Sequence, residues 1–227
     1  MRVRQLRTYD LPDVGDHLIH FTGRNGQRMA VGPEILLLSP ADRLMRILVE
    51  GRIRAFPTFG TSGAAIVALT ESTQPTVRKV IADGPHVPFG IGFSKQTVFE
   101  KNGGPVLYVR GDEWEDARSA LPVPLRSRLV RFWPGADADD DEELPDHLAA
   151  ESQWLHEREW RVPGDLSFNW DEVAFLIVPT LDWQAMHTQQ IELWAGEQYA
   201  SWFRSIPAVV IDFGGNVIHD GSGIWTA

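Results

Sequence analysis

Apolar residues along this chain occur in short runs separated by polar, glycine or proline residues. Runs of this length that are rich in valine, isoleucine and phenylalanine predict β-strands rather than helices. They occupy residues 17–22, 64–73, 89–94, 104–109, 173–179 and 207–213. The second run, AAIVALTEST, ends in hydroxyls and a carboxylate, so we expect a buried strand that presents polar groups at its C-terminal end.

Helices are predicted in three places. The clearest is SPADRLMRILVEGRIRA (39–55), where Ser39 can cap the helix, Pro40 takes its first position and Gly51 ends it. A short helix is expected between the third and fourth strands, and the segment between 179 and 207 has a helical pattern. These helices do not alternate regularly with the strands. The pattern therefore predicts an α+β fold of two packed, mostly antiparallel or mixed sheets with flanking helices.

A dense acidic run occurs at residues 134–147, PGADADDDEELPDH. Like charges at this density repel one another and stay solvated. We expect a mobile insertion within a single domain of residues 1–227, because strand-like sequence resumes soon after it.

Composition narrows the function classes. The 227 residues are 43% hydrophobic, include no cysteine and carry a formal net charge of −10. The absence of cysteine excludes disulfides and thiolate metal sites, and neither a signal peptide nor a spanning segment is evident, so a cytoplasmic protein without a membrane partner is predicted. The negative charge disfavours nucleic acid as a partner, although the basic stretch 125–133 keeps that possibility open.

Known metal and phosphate motifs are not complete in this chain. HEREW (156–160) begins like the zinc motif H-E-x-x-H, but Trp160 stands where the second histidine is needed. No phosphate-binding loop is present, and FGIGFSK lacks the third glycine of a dinucleotide fingerprint. No metal cofactor is therefore expected.

The segment WLHEREWRV (154–162) places two glutamates one residue apart. On an extended strand, Glu157 and Glu159 share one face, whereas Arg158 and Trp160 take the other. Neighbouring carboxylates repel each other and resist burial. Such a pair indicates an exposed strand face, a salt-bridge ladder or a catalytic site.

The strand ends bring together residue types that suit a nucleotide. His20 closes the first strand, Thr70 and Ser72 close the second, and Glu157 and Glu159 lie on a later one. In such a site a carboxylate stabilises a positively charged, oxocarbenium-like sugar, while the histidine and the hydroxyls hydrogen-bond to the ribose. In the alternative interpretation, the histidine is a hydrogen-bonded core residue and the glutamates pair with nearby arginines, namely Arg24, Arg158 or Arg161.

Four segments carry a resemblance to a known family. LIHFT, LMRILVEGRIRA, PFGIGFSKQTVFEKNGGPVLYV and HEREWRV resemble, in this order, the AbiGi-type abortive-infection proteins. Those are bacterial phage-defence and toxin–antitoxin components. The matching segments extend over residues 17–179, leaving the acidic insertion and the tail after 180 uncovered.

That family is in turn similar to the ADP-ribosyltransferases, which bind NAD in a cleft between two sheets. The resemblance implies that Glu159 is the catalytic acid and that Glu157 orients the acceptor. It also implies two groups of NAD-binding residues. In the first motif, His20 contacts the ribose and Phe21 and Thr22 lie nearby. In the second motif, the binding residues are Thr70 and Ser72. The second motif, LTEST, departs from the family pattern, because Glu71 adds an acid without an assigned role.

Two further residues are candidates for NAD contacts. Arg24, in the loop after the first strand, suits bidentate contact with the pyrophosphate. Phe93 offers an aromatic surface for the nicotinamide, with core packing as the alternative.

The expected function is transfer of ADP-ribose from NAD to a macromolecule, with a protein acceptor preferred over RNA or DNA. A second hypothesis is a non-catalytic antitoxin or sensor whose acidic loop (137–143) docks a basic partner, such as a cognate toxin. A third is NAD hydrolysis at the same residues.

Overall fold

The computed structural model describes residues 15–24, 33–57, 64–84, 86–132, 158–223 and 225. The predicted acidic insertion at 134–147 and the predicted catalytic partner Glu157 lie outside these residues.

The described residues form strands and helices at nearly all the predicted positions. The strands are β1 (His17–Phe21), β2 (Arg52–Ile53), β3 (Phe56–Pro57), β4 (Ala65–Thr70), β5 (Gly90–Ser94), β6 (Gly104–Pro105), β7 (Leu107–Arg110), β8 (Leu129–Phe132), β9 (Glu159–Pro163), β10 (Leu166–Ser167), β11 (Val173–Val178), β12 (Ala208–Ile211) and β13 (Val217–Asp220). The helices are α1 (Pro33–Leu36), α2 (Pro40–Glu50), α3 (Gln74–Ala82), α4 (Lys95–Glu100), α5 (Trp114–Ala120), α6 (Val123–Arg126), α7 (Trp183–Ala195) and α8 (Glu197–Ser205).

The predicted α2 helix is confirmed together with its caps. The Ser39 hydroxyl accepts the Asp42 N–H, and Pro40 opens the helix. Gly51 closes it with φ 58°, a left-handed conformation that glycine adopts at little cost. The predicted helical segment after residue 179 is also confirmed, but Gly196 divides it into α7 and α8.

One nine-stranded sheet organises the described residues, in the order β13-β12-β11-β5-β1-β4-β9-β6, with β3 paired to β4. Neighbouring strands are antiparallel except for β11 and β12. The ribbons β2–β10 and β7–β8 stand apart from it. The α+β prediction of a mostly antiparallel sheet with helices is confirmed. One curled sheet takes the place of the two predicted large sheets, because β1 pairs with β5 over five residues and with β4 at Ile19–Thr70, a single pair that joins the halves.

Each face of the large sheet has its own hydrophobic core. On the first face, which we call the α2 face, strand residues such as Leu18, Leu69 and Ile91 pack with α2, α7 and α8. On the opposite face, the α3 face, Ile19 and Phe175 pack with α3. Side chains alternate between the faces along each strand, as pleated geometry requires.

The GIGFS strand shows why glycine is placed in β5. A Cβ on Gly92 would overlap the Phe175 ring, which is fully buried. The glycine therefore makes room for a ring on the neighbouring strand rather than for a phosphate.

Candidate functional site

The strands that carry the predicted site residues are neighbours in the sheet. Antiparallel pairing sets Ile19 of β1 opposite Thr70 of β4, and Thr70 opposite Glu159 of β9. Residues that face each other across antiparallel strands point to the same side of the sheet. Thr70 and Glu159 therefore both lie on the α3 face, as Ile19 does.

Two hydroxyls and a carboxylate come together there. The Thr70 and Ser72 hydroxyl oxygens are 2.6 Å apart and both residues are buried. Glu159 accepts two hydrogen bonds from Arg161, from Nε at 2.8 Å and from Nη2 at 3.1 Å. Only 15% of the Glu159 side chain and 5% of the Arg161 side chain are exposed. The alternative interpretation, in which a glutamate pairs with a nearby arginine, is confirmed for Glu159.

Backbone carbonyls and strand neighbours hold Arg161 in place. Arg161 stands opposite Ala68 of β4 and Gly104 of β6, and a Cβ on Gly104 would meet the guanidinium of a second arginine, Arg128. Its Nη1 donates to the carbonyls of Leu129 at 2.9 Å and Ser127 at 3.3 Å. Arg161 thus ties the β9 strand to the β8 ribbon and holds the Glu159 carboxylate at the same time.

His20 lies on the opposite face, which corrects the prediction that it shares a site with Glu159. It pairs with Ile91, a residue of the α2-face core. Its Nδ1 is 2.9 Å from the Ala68 carbonyl oxygen. The His20 ring lines a cavity beneath α1 and α2, beside Arg43. Burial lowers the pKa of His20 below the ordinary value of 6.5, and the Ala68 hydrogen bond opposes this shift.

Three of the residues after His20, namely Phe21, Thr22 and Arg24, are tied into the framework around the end of β1. The Thr22 hydroxyl is buried and donates to the Pro40 carbonyl at 2.7 Å, which joins β1 to the start of α2. The Phe21 ring stacks on His86 with centroids 4.4 Å apart. Arg24 forms a backbone bridge with the same residue, His86. Thr22 and Arg24 thus lie beyond the end of β1, whereas Phe21, its last residue, packs against the α3-face core.

Phe93 is a core residue, which corrects its predicted contact with nicotinamide. It has no exposed surface and packs edge-on against Phe168 at 5.0 Å. The core-packing alternative is confirmed. Trp160 also faces away from Glu159 and packs against the α2-face core, as alternation along β9 predicts.

The structure gives Glu71 a set of partners that sequence patterns did not indicate. Its carboxylate lies 2.7 Å from the Lys95 amine and 3.8 Å from the Arg158 guanidinium, and it accepts the Trp160 indole N–H at 3.0 Å. Arg158 has φ 46°, a left-handed conformation that is uncommon for a non-glycine residue. Lys95 opens α4 directly after β5, so no spacing along the chain pointed to this cluster.

Neither a metal centre nor known relatives define the site further. Within the described ranges, no group of three or more histidine or acidic side chains is arranged to hold a metal ion. In the same part of the chain, no helix is long and apolar enough to cross a membrane. No family model, curated protein or solved structure matches this chain. The resemblance to the AbiGi-type proteins and the ADP-ribosyltransferases therefore stays a prediction.

Proposed function

We propose that this protein is an ADP-ribosyltransferase, with an ADP-ribosyltransferase-like fold, that consumes NAD and modifies a macromolecule in a phage-defence or toxin–antitoxin system. The observation that carries the proposal is the direct pairing of Thr70 with Glu159, with the Ser72 hydroxyl 2.6 Å from that of Thr70. The pairing puts hydroxyl groups, which suit a ribose, and an acid on one face of neighbouring strands. His20 and Phe93 have no part in this site.

Glu159 supplies the electrostatic part of the chemistry. When the bond between the ribose anomeric carbon and nicotinamide breaks, the bond electrons leave with nicotinamide and the ribose becomes cationic. A fixed carboxylate stabilises that cation without having to reorganise. Arg161 fixes the carboxylate through two hydrogen bonds. An acceptor nucleophile then bonds to the anomeric carbon and gives up its proton.

The first turn of α3 suits the phosphates of the same ligand. The helix starts at Gln74, directly after the Thr70–Ser72 turn, and packs on the face that carries Glu159. Thr73 occupies the N-cap position, but its side chain makes no capping hydrogen bond to the helix backbone. N–H groups at a helix start attract phosphate oxygens. The pyrophosphate would meet α3 while the nicotinamide ribose meets Thr70 and Ser72.

The first experiment is incubation of the purified protein with NAD, labelled in its adenylate phosphate, and cell lysate. Glu159→Gln is compared with Glu192→Gln, the same isosteric change at an exposed position on α7. Wild type and the control should label a macromolecular band, and Glu159→Gln should lose about 100-fold or more of the rate. Protease and nuclease treatment of the band then separates a protein acceptor from RNA or DNA.

Ser72→Ala provides a second variant, because it leaves the Glu159–Arg161 pair intact. We expect it to raise the KM for NAD more than it lowers kcat. Folded wild-type protein that neither binds nor consumes NAD would overturn the proposal. Release of nicotinamide without labelling would indicate that water is the acceptor or that the lysate lacks the target.

A second candidate is a non-catalytic protein that binds a partner, such as a cognate toxin or antitoxin. The Glu159 carboxylate accepts two hydrogen bonds from a buried arginine, and the Thr70 and Ser72 hydroxyls bond to each other. Both arrangements are what a purely structural role requires. In that case Glu159→Gln lowers stability, NAD has no effect on the melting temperature, and the partner is found by its binding to the intact chain.

A further inference from the structure

A cleft of about 700 Å³ opens between the end of α2, the 168–173 segment and α8. This volume is in the range of small-molecule sites. The cleft lies on the α2 side of the sheet, because Trp170 and Tyr199 belong to that core. It is therefore separate from the Glu159 site, and binding of a ligand in the cleft does not require the proposed transferase activity.

Three aromatic rings form one wall of the cleft. The Trp170 and Tyr199 centroids are 5.3 Å apart at an interplanar angle of 72°. Tyr199 and Trp202 are 5.5 Å apart at 75°. Trp170 is buried, whereas 43% of Trp202 is exposed. The rings thus make a corner whose open side is lined by the Trp202 indole.

The charged groups of the cleft are both acidic. Glu50 and Asp171 contribute to its lining, and no lysine, arginine or histidine occurs among the described residues that line it. Glu50 is engaged by Arg54 at 2.9 Å, with two further arginines at 3.7 Å. Asp171 is exposed and pairs with no cation in the described part of the chain. Because these arginines offset Glu50, the unbalanced charge of the cleft lining is that of Asp171, and a cation would find both this carboxylate and aromatic faces.

We propose that this cleft binds an organic ammonium ion, held by the Trp202 and Tyr199 rings and balanced by Asp171. Cations within about 6 Å of an aromatic centroid are attracted by the negative face of the ring, most strongly by tryptophan. The partly covered rings exclude water from part of the ligand, which strengthens this attraction. An ammonium group with methyl substituents also buries apolar surface against the rings.

The test compares two probes of the same shape on the full chain. Choline carries a quaternary ammonium, and 3,3-dimethylbutan-1-ol has a neutral carbon in its place. Binding is followed by NMR on protein labelled at the indole nitrogens, with the Trp202 signal assigned by its loss in Trp202→Leu. We expect choline to shift the Trp202 signal and to bind about tenfold or more tightly than the alcohol, since a desolvated cation–aromatic contact is of that size.

Matched variants separate the cleft from general surface effects. Trp202→Leu should abolish choline binding, whereas Trp194→Leu, a change at a similarly exposed tryptophan of α7 outside the cleft, should leave it unchanged. Asp171→Asn should weaken binding severalfold, and Asp182→Asn should have no effect. Equal binding of the two probes, equal loss in both tryptophan variants, or a Trp202 shift with neutral monosaccharides but not with choline would each overturn the proposal.

Discussion

The ion pair between Glu159 and Arg161 makes a quantitative prediction about stability. Replacing Arg161 by Met keeps most of the aliphatic volume but removes two hydrogen bonds to Glu159 and two to the carbonyls of Ser127 and Leu129. Removing one partner of a buried ion pair costs about 3–5 kcal/mol, because the other charge stays buried and unpaired. We expect about 3 kcal/mol, at the lower end, because 15% of the Glu159 side chain reaches water.

Glu159→Gln should cost about 2–3 kcal/mol, less than the arginine change, because Arg161 keeps its carbonyl contacts and an amide oxygen still accepts one hydrogen bond. The double variant should cost about 2 kcal/mol less than the sum of the single variants, since neither charge is then left alone. Urea unfolding at pH 7, followed by tryptophan fluorescence and by circular dichroism, measures the three free energies. Additivity within about 0.5 kcal/mol would refute the paired arrangement of β9.

Three further predictions concern residues of the framework. Gly92→Ala should destabilise the protein by about 1–3 kcal/mol, measured by urea unfolding, because the added methyl meets the buried Phe175 ring. Thr22→Val should cost about 1–2 kcal/mol in the same assay through loss of the hydrogen bond to the Pro40 carbonyl, and should leave any NAD affinity unchanged. His20 binds fewer protons when folded, since its pKa lies below 6.5, so its contribution to stability falls as the pH drops below about 6.5 and levels off below the folded-state pKa. Histidine NMR titration should place the His20 midpoint below 6.5, and a midpoint at or above that value would contradict its buried position.

The elements of the fold are largely predictable from local sequence signals. The α2 helix begins and ends where Ser39 and Gly51 place its caps, because capping depends only on residues within one turn. The buried strands β4, β5, β11 and β12 arise from continuous apolar runs. The number of sheets could not be predicted, since it depends on β1 pairing along both of its edges, and no local signal encodes that choice.

The candidate site was predictable only in part. Alternation along one strand correctly separated Glu159 from Trp160, which packs against the α2-face core. The ion pair between Glu71 and Lys95 was not predictable, because the two residues belong to segments that are distant along the chain. The predicted contact between Phe93 and nicotinamide was wrong, because an aromatic residue next to glycines has the same local sequence pattern in a core as in a ligand pocket.

The position of His20 depends on the register between strands. Because Ile19 is opposite Thr70, the next residue, His20, must face the other side of the sheet. A shift of β1 by one residue would bring His20 to the face of Glu159, but it would also move Leu18 out of the α2-face core. Exposing one such side chain costs about 1.5–3 kcal/mol, and all the side chains of β1 would change faces together. The core therefore fixes His20 away from Glu159, and the ribose contacts that we propose at Glu159 are those of Thr70 and Ser72 only. His20→Ala should accordingly leave any Glu159-dependent activity intact.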